Sequence, residues 1–183
     1  MRITGGTLKN QPLKVPKGGQ TRPTSEKVRQ SIFNSYQHYI EGANFLDLFA
    51  GSGAMGIEAL SRGAKSATFI EKNPSAFKTL EENLSNLDLF SQATVLKGDV
   101  FTLLKRLKGE TFDLIYIDPP YEQGLAEKAL LLLDEFNLLH SGGIALIEEA
   151  GQRELSLPSF NHFKMSKKRK IGSTLLYEFT RSL

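Results

Sequence analysis

The chain has no cysteine among its 183 residues. That excludes disulfides, zinc–thiolate sites and a cysteine nucleophile. Histidine is nearly as scarce. His38, His140 and His162 show no metal-ligand spacing, so no metal is expected. No apolar run reaches the length of a membrane span, and the first residues lack the apolar core of a signal peptide. No membrane partner and a cytoplasmic location are the expectations. Internal repeats, low-complexity tracts and linker-like stretches are also missing. What remains is an ordinary composition, 40% hydrophobic and 23% charged, in a length that suits one domain with a substantial core.

The net charge is only +3, but it is unevenly spread. Residues 1–40 carry +6 and residues 151–183 carry +5, which leaves −8 for the middle. Basic ends around an acidic centre fit a polyanionic partner better than a set of merely solvated faces.

Within that centre, strand-like and helix-like segments alternate. Phe45 to Ala50 is apolar except for Asp47 and reads as a buried strand. Gly51-Ser52-Gly53 then forces a tight turn, and a helical pattern follows. Further strands are expected at Ala67–Ile70, Ala93–Leu96, Phe112–Ile117 and Gly143–Ile147. Helices are expected from Pro74 to about Asp88, around Val100 to Leu107, and from Leu125 to Leu139. Two β-rich segments close the chain. Before the core, Val28, Ile32, Phe33, Tyr36 and Ile40 recur at helical spacing, with Thr24 or Ser25 as cap. The alternation predicts an α/β fold: a mostly parallel sheet with helices on both faces and an antiparallel C-terminal hairpin.

Four strands end in acids: Asp47, Glu71, Asp99 and Asp118. In an open parallel sheet, ligands bind outside the carboxyl ends of the strands, so the four should line one edge. The spelling Gly51-x-Gly53-x-x-Gly56 satisfies the dinucleotide fingerprint, and backbone N–H groups at that turn should face a ligand. An NAD-type ligand stays open on the glycines alone. Asp47 argues otherwise, because a carboxylate beside the loop would repel a pyrophosphate. It suits a ligand with an amine and a positive centre, such as S-adenosylmethionine. Glu71, 18 residues after Gly53, is placed for ribose hydroxyls. Asp99 is placed for an adenine amine, with Val100 and Phe101 beside the ring.

Asp118-Pro119-Pro120-Tyr121 is the sharpest signal. The prolines remove N–H donors and stiffen the backbone, which leaves carbonyls free to accept. Asp118 and such a carbonyl can take both hydrogens of an exocyclic amine while Tyr121 stacks on its ring. Accepting those bonds raises electron density on a delocalised nitrogen and aims its lone pair at a methyl donor.

Taken in order, Asp47-x-Phe49-x-Gly51-x-Gly53, Glu71, Asp99 and Asp118-Pro119-Pro120-Tyr121 resemble class I S-adenosylmethionine-dependent amino-methyltransferases. Arg2-Ile3-x-Gly5-Gly6, Lys9, Leu13-x-Val15-Pro16, Arg22-Pro23-Thr24, Val28-Arg29 and Phe33-Asn34 narrow the resemblance. They point to the RsmD family, which methylates a guanine N2 in bacterial small-subunit ribosomal RNA. The resemblance implies a Rossmann-like fold in which Asp47, Phe49, Gly51, Gly53, Glu71, Asp99 and Val100 hold the cofactor. Asp118, Pro119, Pro120 and Tyr121 would receive a flipped guanine.

The expected organisation is a basic, RNA-facing extension and helix over residues 1–40 and a methyltransferase domain over 41–183, together one globular unit. Arg22, Thr24 and Arg29 from one basic end, and Lys167, Lys168, Arg169 and Lys170 from the other, are the expected RNA contacts. The partner would be small-subunit ribosomal RNA or an assembling small subunit, and the chain a monomer. An NAD oxidoreductase explains the glycines but neither Asp47 nor Asp118 to Tyr121. Transfer to adenine N6 or to a protein glutamine is a rival reading, as is a non-catalytic RNA-binding assembly factor.

Overall fold

The computed structural model describes residues 1–16, 26–120, 124–150 and 154–181. Among the described residues, seven strands form one sheet: β1 (Asn44–Leu48), β2 (Ser66–Glu71), β3 (Ala93–Lys97), β4 (Phe112–Ile117), β5 (Leu139–Ala150), β6 (Phe163–Ile171) and β7 (Thr174–Arg181). Their spatial order is β3-β2-β1-β4-β5-β7-β6. The first five are parallel, and β7 runs antiparallel to both β5 and β6. The chain steps outward from β1 to β2 and β3, then returns to β4 on the other side of β1. The switch of direction between β1 and β4 opens a crevice at their carboxyl ends, where such sheets bind ligands. The strand order and helical layers are those of a class I methyltransferase fold.

Helices α1 (Glu26–Ser35), α2 (Ala54–Ser61), α3 (Pro74–Asn86), α4 (Val100–Arg106) and α5 (Leu125–Glu135) cover the sheet. Several start where the sequence supplies a reason. Gly53, at φ +80°, turns the chain into α2. Asn73 accepts from the backbone N–H of Ser75 at 2.9 Å and of Ala76 at 3.1 Å, ahead of Pro74 at the first turn of α3. Asp99 caps α4.

Alternate strand residues face two apolar layers. Phe45, Phe69, Leu114, Tyr116 and Leu146 pack with Phe33, Ile57 and Leu80 on one side. Leu46, Ile70, Ile115 and Ile147 pack with Leu104, Leu130 and Leu133 on the other. The described part of residues 1–40 packs onto the sheet. Ile3, Leu13, Ile32 and Ile40 are buried in the first of these layers, and Thr7 N–H donates to the Ser61 carbonyl at 2.8 Å.

One expected boundary is wrong. The last helix ends at Glu135 rather than Leu139, and β5 starts at Leu139 rather than Gly143. Asn137 adopts φ +55°, which stops the helix. Leu138 then drops into the core, and Leu139 pairs with Phe112. A register shift between Phe112 and Leu114 accommodates the extra residues.

Candidate active site at the switch point

The site is assembled from the ends of β1, β2, β3 and β4. Leu48 pairs with Ile70 on one side and Ile117 on the other. The next residue on each strand is Phe49, Glu71 and Asp118, so these three stand level at the crevice.

The loop after β1 is held by carboxylates. Gly51 N–H donates to Glu71 Oε2 at 2.7 Å, and Asn73 N–H to Glu71 Oε1 at 2.6 Å. Gly56 N–H donates to Asp47 Oδ2 at 2.9 Å, and Gly53 N–H to the Ala50 carbonyl at 2.8 Å. The sequence suggests that these N–H groups face a ligand. Instead, three glycine N–H groups of the loop and the first turn of α2 are already taken, two of them by the carboxyl groups of Glu71 and Asp47. A pyrophosphate would meet acceptors and the Glu71 charge where it needs donors, which weighs against the dinucleotide reading. Asn83, 1% exposed, braces the same loop by donating to the Ser52 carbonyl at 3.0 Å.

The glycines are required for two different reasons. A side-chain carbon on Gly56 would lie 2.2 Å from the Phe69 ring, and one on Gly53 2.2 Å from Leu80. Those two let the helix and loop close onto the sheet. A carbon on Gly51 would meet nothing within 4 Å, so this residue lines open space at the mouth of the crevice. Phe49 there adopts φ +62°, a conformation that costs a non-glycine residue energy and concentrates at functional sites. Its ring meets Phe101 edge-on at 6.3 Å, and Lys128 Nζ lies 4.1 Å from the Phe101 centroid.

Asp47 is 2% exposed. Burial pushes its carboxyl up to about 8, the Gly56 N–H pulls it back, and the Glu71 charge adds a smaller upward push. The consequence for stability has a definite sign. Well below about pH 4 the carboxyl is protonated folded or unfolded, so it costs nothing. Between about pH 4 and 8 only the unfolded chain ionises, so the ligand-free protein loses stability as pH rises. Asp47→Asn keeps an acceptor for Gly56 and removes the titration. The stability difference between wild type and this variant, followed by thermal melts, is expected to drift against wild type from about pH 4 to 8 and then level off. A constant difference would show that Asp47 is ionised in the folded state throughout.

The remaining expected residues fall into three groups. Asp99 Oδ1 accepts from Thr102 N–H at 3.1 Å as a helix cap, and Val100 is buried in the core beneath it. Of the two residues expected beside the ring, Phe101 is half-buried and meets Phe49 edge-on, whereas Val100 is turned into the core. Asp118 is half-buried at the end of β4, Pro119 is buried and Pro120 exposed. Tyr121, Arg22 and Thr24 lie outside the described residues.

Two expected RNA contacts need correction. Arg29 is 0% exposed and pairs with Glu58 at 3.1 Å, so it cannot reach a phosphate. Arg169 is half-buried, its guanidinium 5.3 Å from the Tyr36 ring centroid and its Nη1 2.8 Å from Ser35 Oγ. It is committed to the layer above the sheet. Lys168 pairs with Glu154 at 2.5 Å on the exposed surface. Lys167 and Lys170 are exposed on the edge strand β6.

Glu58 escapes the sequence reading. It accepts from Thr4 N–H at 2.9 Å and Thr4 Oγ1 at 2.7 Å, and pairs with Arg29 and with Arg62 at 2.8 Å. The available signal is a lone charge inside an otherwise apolar helix.

The family model described as "Conserved hypothetical protein 95" matches residues 1–180. The Ribosomal RNA small subunit methyltransferase D of Haemophilus influenzae is 35% identical over 180 residues, covering 97% of this chain and 93% of that protein. The protein of the same name from Escherichia coli K12 is 33% identical over 177 residues, covering 97% and 87%. A solved hypothetical protein of Thermus thermophilus superposes with a TM-score of 0.82 at 31% identity, covering 99% of both chains.

Proposed function

The chain belongs to the Conserved hypothetical protein 95 family, the RsmD family, and from that premise we propose that it methylates the N2 amine of a guanine in small-subunit ribosomal RNA. The coarser activity is S-adenosylmethionine-dependent methylation of ribosomal RNA. The observation that carries the reading is the juxtaposition of Asp118-Pro119-Pro120 with the carboxylate-held glycine loop, across the switch point between β1 and β4.

The residues fit this cofactor. Open space at Gly51, a rigidly held Glu71 beside it, and the Phe49–Phe101 wall suit a ribose and a purine ring. Each Glu71 oxygen that accepts one backbone N–H can accept a ribose hydroxyl as well. Asp47, buried behind the loop and largely protonated at neutral pH without ligand, lies where a bound amine and sulfonium would favour its ionised form. When bound, S-adenosylmethionine supplies an electrophilic methyl group.

The protein's task is then alignment. Asp118 and a carbonyl of the proline turn accept the two amine hydrogens, which fixes the nitrogen lone pair toward the donor. The same carboxylate is placed to receive the proton released once the new N–C bond has formed. A base inside a helix cannot reach this crevice, so the target must leave its stack at a cost of a few kcal/mol.

Contacts to RNA phosphates can offset that cost. The β6–β7 turn lies at the same edge as the site, because Ile117 is level with Ile147, Tyr177 and Lys168 across the sheet. Lys170 is thus close to the level of Asp118, roughly 14 Å away across three strand spacings. Lys167→Ala with Lys170→Ala is expected to weaken ribosomal RNA binding and to lower the slope of log affinity against log salt by roughly 1.5. An unchanged slope would take β6 out of the interface.

The activity is tested with methyl-labelled cofactor, ribosomal RNA and partly assembled small subunits. Label in RNA is expected. Label in protein alone would overturn the reading in favour of an amide substrate.

A further inference from the structure

Asp118 and a backbone carbonyl would read an exocyclic amine alike on guanine and on adenine. The two bases differ at the neighbouring ring atom. Guanine carries a donor, N1–H, beside its amine, whereas adenine carries the N1 lone pair. A second anionic acceptor next to Asp118 would therefore separate them.

The sheet register supplies one. Ile117 pairs with Ile147, so the next residues, Asp118 and Glu148, stand level on adjacent strands about 4.8 Å apart. Both continue the face that carries Tyr116 and Leu146. The buried Tyr116 hydroxyl donates to Glu148 Oε2, and Thr174 Oγ1 lies 3.3 Å from Oε1. Two hydroxyls from different strands thus orient a carboxylate that stays half-exposed at the mouth of the crevice. A carboxylate oxygen can accept more than one donor, so these bonds do not prevent it from meeting a base.

We propose that Glu148 is the specificity residue of the site, accepting the N1–H of the target guanine while Asp118 holds the N2 amine. The proposal rests on the methyl-transfer reading of Asp118. An adenine in the same place would set its N1 lone pair against the Glu148 carboxylate, losing a hydrogen bond and adding a repulsion.

The test uses RNA carrying 2-aminopurine at the methylated position, mapped first with the natural transcript. This base keeps the 2-amine but has a lone pair at N1. Wild type is expected to prefer guanine by roughly 100-fold in kcat/KM. Glu148→Gln keeps an oxygen for the hydroxyls and offers an amide N–H toward N1. Its preference is expected to fall by about tenfold or more, through a loss on guanine and a gain on 2-aminopurine. A gain on the analogue cannot come from a generally damaged site. A wild-type preference near unity, or the same ratio in both proteins, would overturn the assignment of Glu148 alone. Methyl on adenine N6, or no methyl on RNA, would overturn it together with the reading it rests on, and nucleoside analysis of the wild-type product tells these cases apart.

Discussion

Asp118→Ala is expected to lower kcat for methyl transfer by roughly 10²- to 10³-fold, with cofactor affinity within about twofold of wild type. The asymmetry follows from the architecture. The cofactor cradle is built by the ends of β1 and β2, through Glu71, Asp47 and the glycine loop. Asp118 ends β4, on the other side of the switch point. Its loss removes an acceptor that the amine needs only when its lone pair must be aimed, so the effect belongs in kcat. Calorimetric titration of the cofactor beside single-turnover kinetics separates the two quantities. Equal losses of cofactor binding and rate would mean that Asp118 shapes the cradle rather than the amine site.

Glu58→Ala is expected to give a large loss of stability. Glu58 is 0% exposed and neutralises Arg29, which is also 0% exposed. The variant leaves that guanidinium buried, with Nε deprived of its acceptor while its other nitrogens keep the Arg2 carbonyl and Met1 Sδ. Removing one member of a buried pair typically costs about 3–5 kcal/mol, because a charge is left uncompensated. For a chain of this size that corresponds to a fall of roughly 10 °C in Tm. Glu58→Gln, which keeps the hydrogen-bond acceptor, is expected to lose less. A melting shift below about 2 °C for the alanine variant would show that the network tying Thr4, Arg29 and Arg62 together is not structural.

Much of this architecture can be read from the residues because it depends on local pattern. Apolar runs closed by Glu71, Asp99 and Asp118 mark the parallel strands and the edge where such sheets bind ligands, whereas Asp47 lies inside β1, one residue before its end, and is buried. Gly53 and Gly56 are likewise legible as part of a glycine fingerprint, but that a side chain there would collide with Leu80 or Phe69 appears only once the helix is folded onto the sheet. What escapes the pattern depends on partners distant in sequence. Arg29 looks like a surface cation until Glu58, 29 residues later, is folded against it. Arg169 belongs to a basic run, yet it is drawn back over Tyr36 from 133 residues earlier. Loop N–H groups look available for a ligand until Asp47 and Glu71 are seen to consume them. The end of α5 is hidden for a more local reason. Leu138 and Leu139 continue the apolar helical spacing, and the positive φ of Asn137 that breaks it leaves little trace in hydrophobicity.

The central claim is that the crevice between β1 and β4 presents an exocyclic guanine amine to a methyl donor. It is tested most directly by digesting wild-type reaction products, from labelled cofactor and partly assembled small subunits, to nucleosides. All label is expected in N2-methylguanosine. Label in N6-methyladenosine would contradict the guanine assignment while keeping the amine chemistry of Asp118. Cofactor binding with no label on any nucleoside would contradict the claim itself.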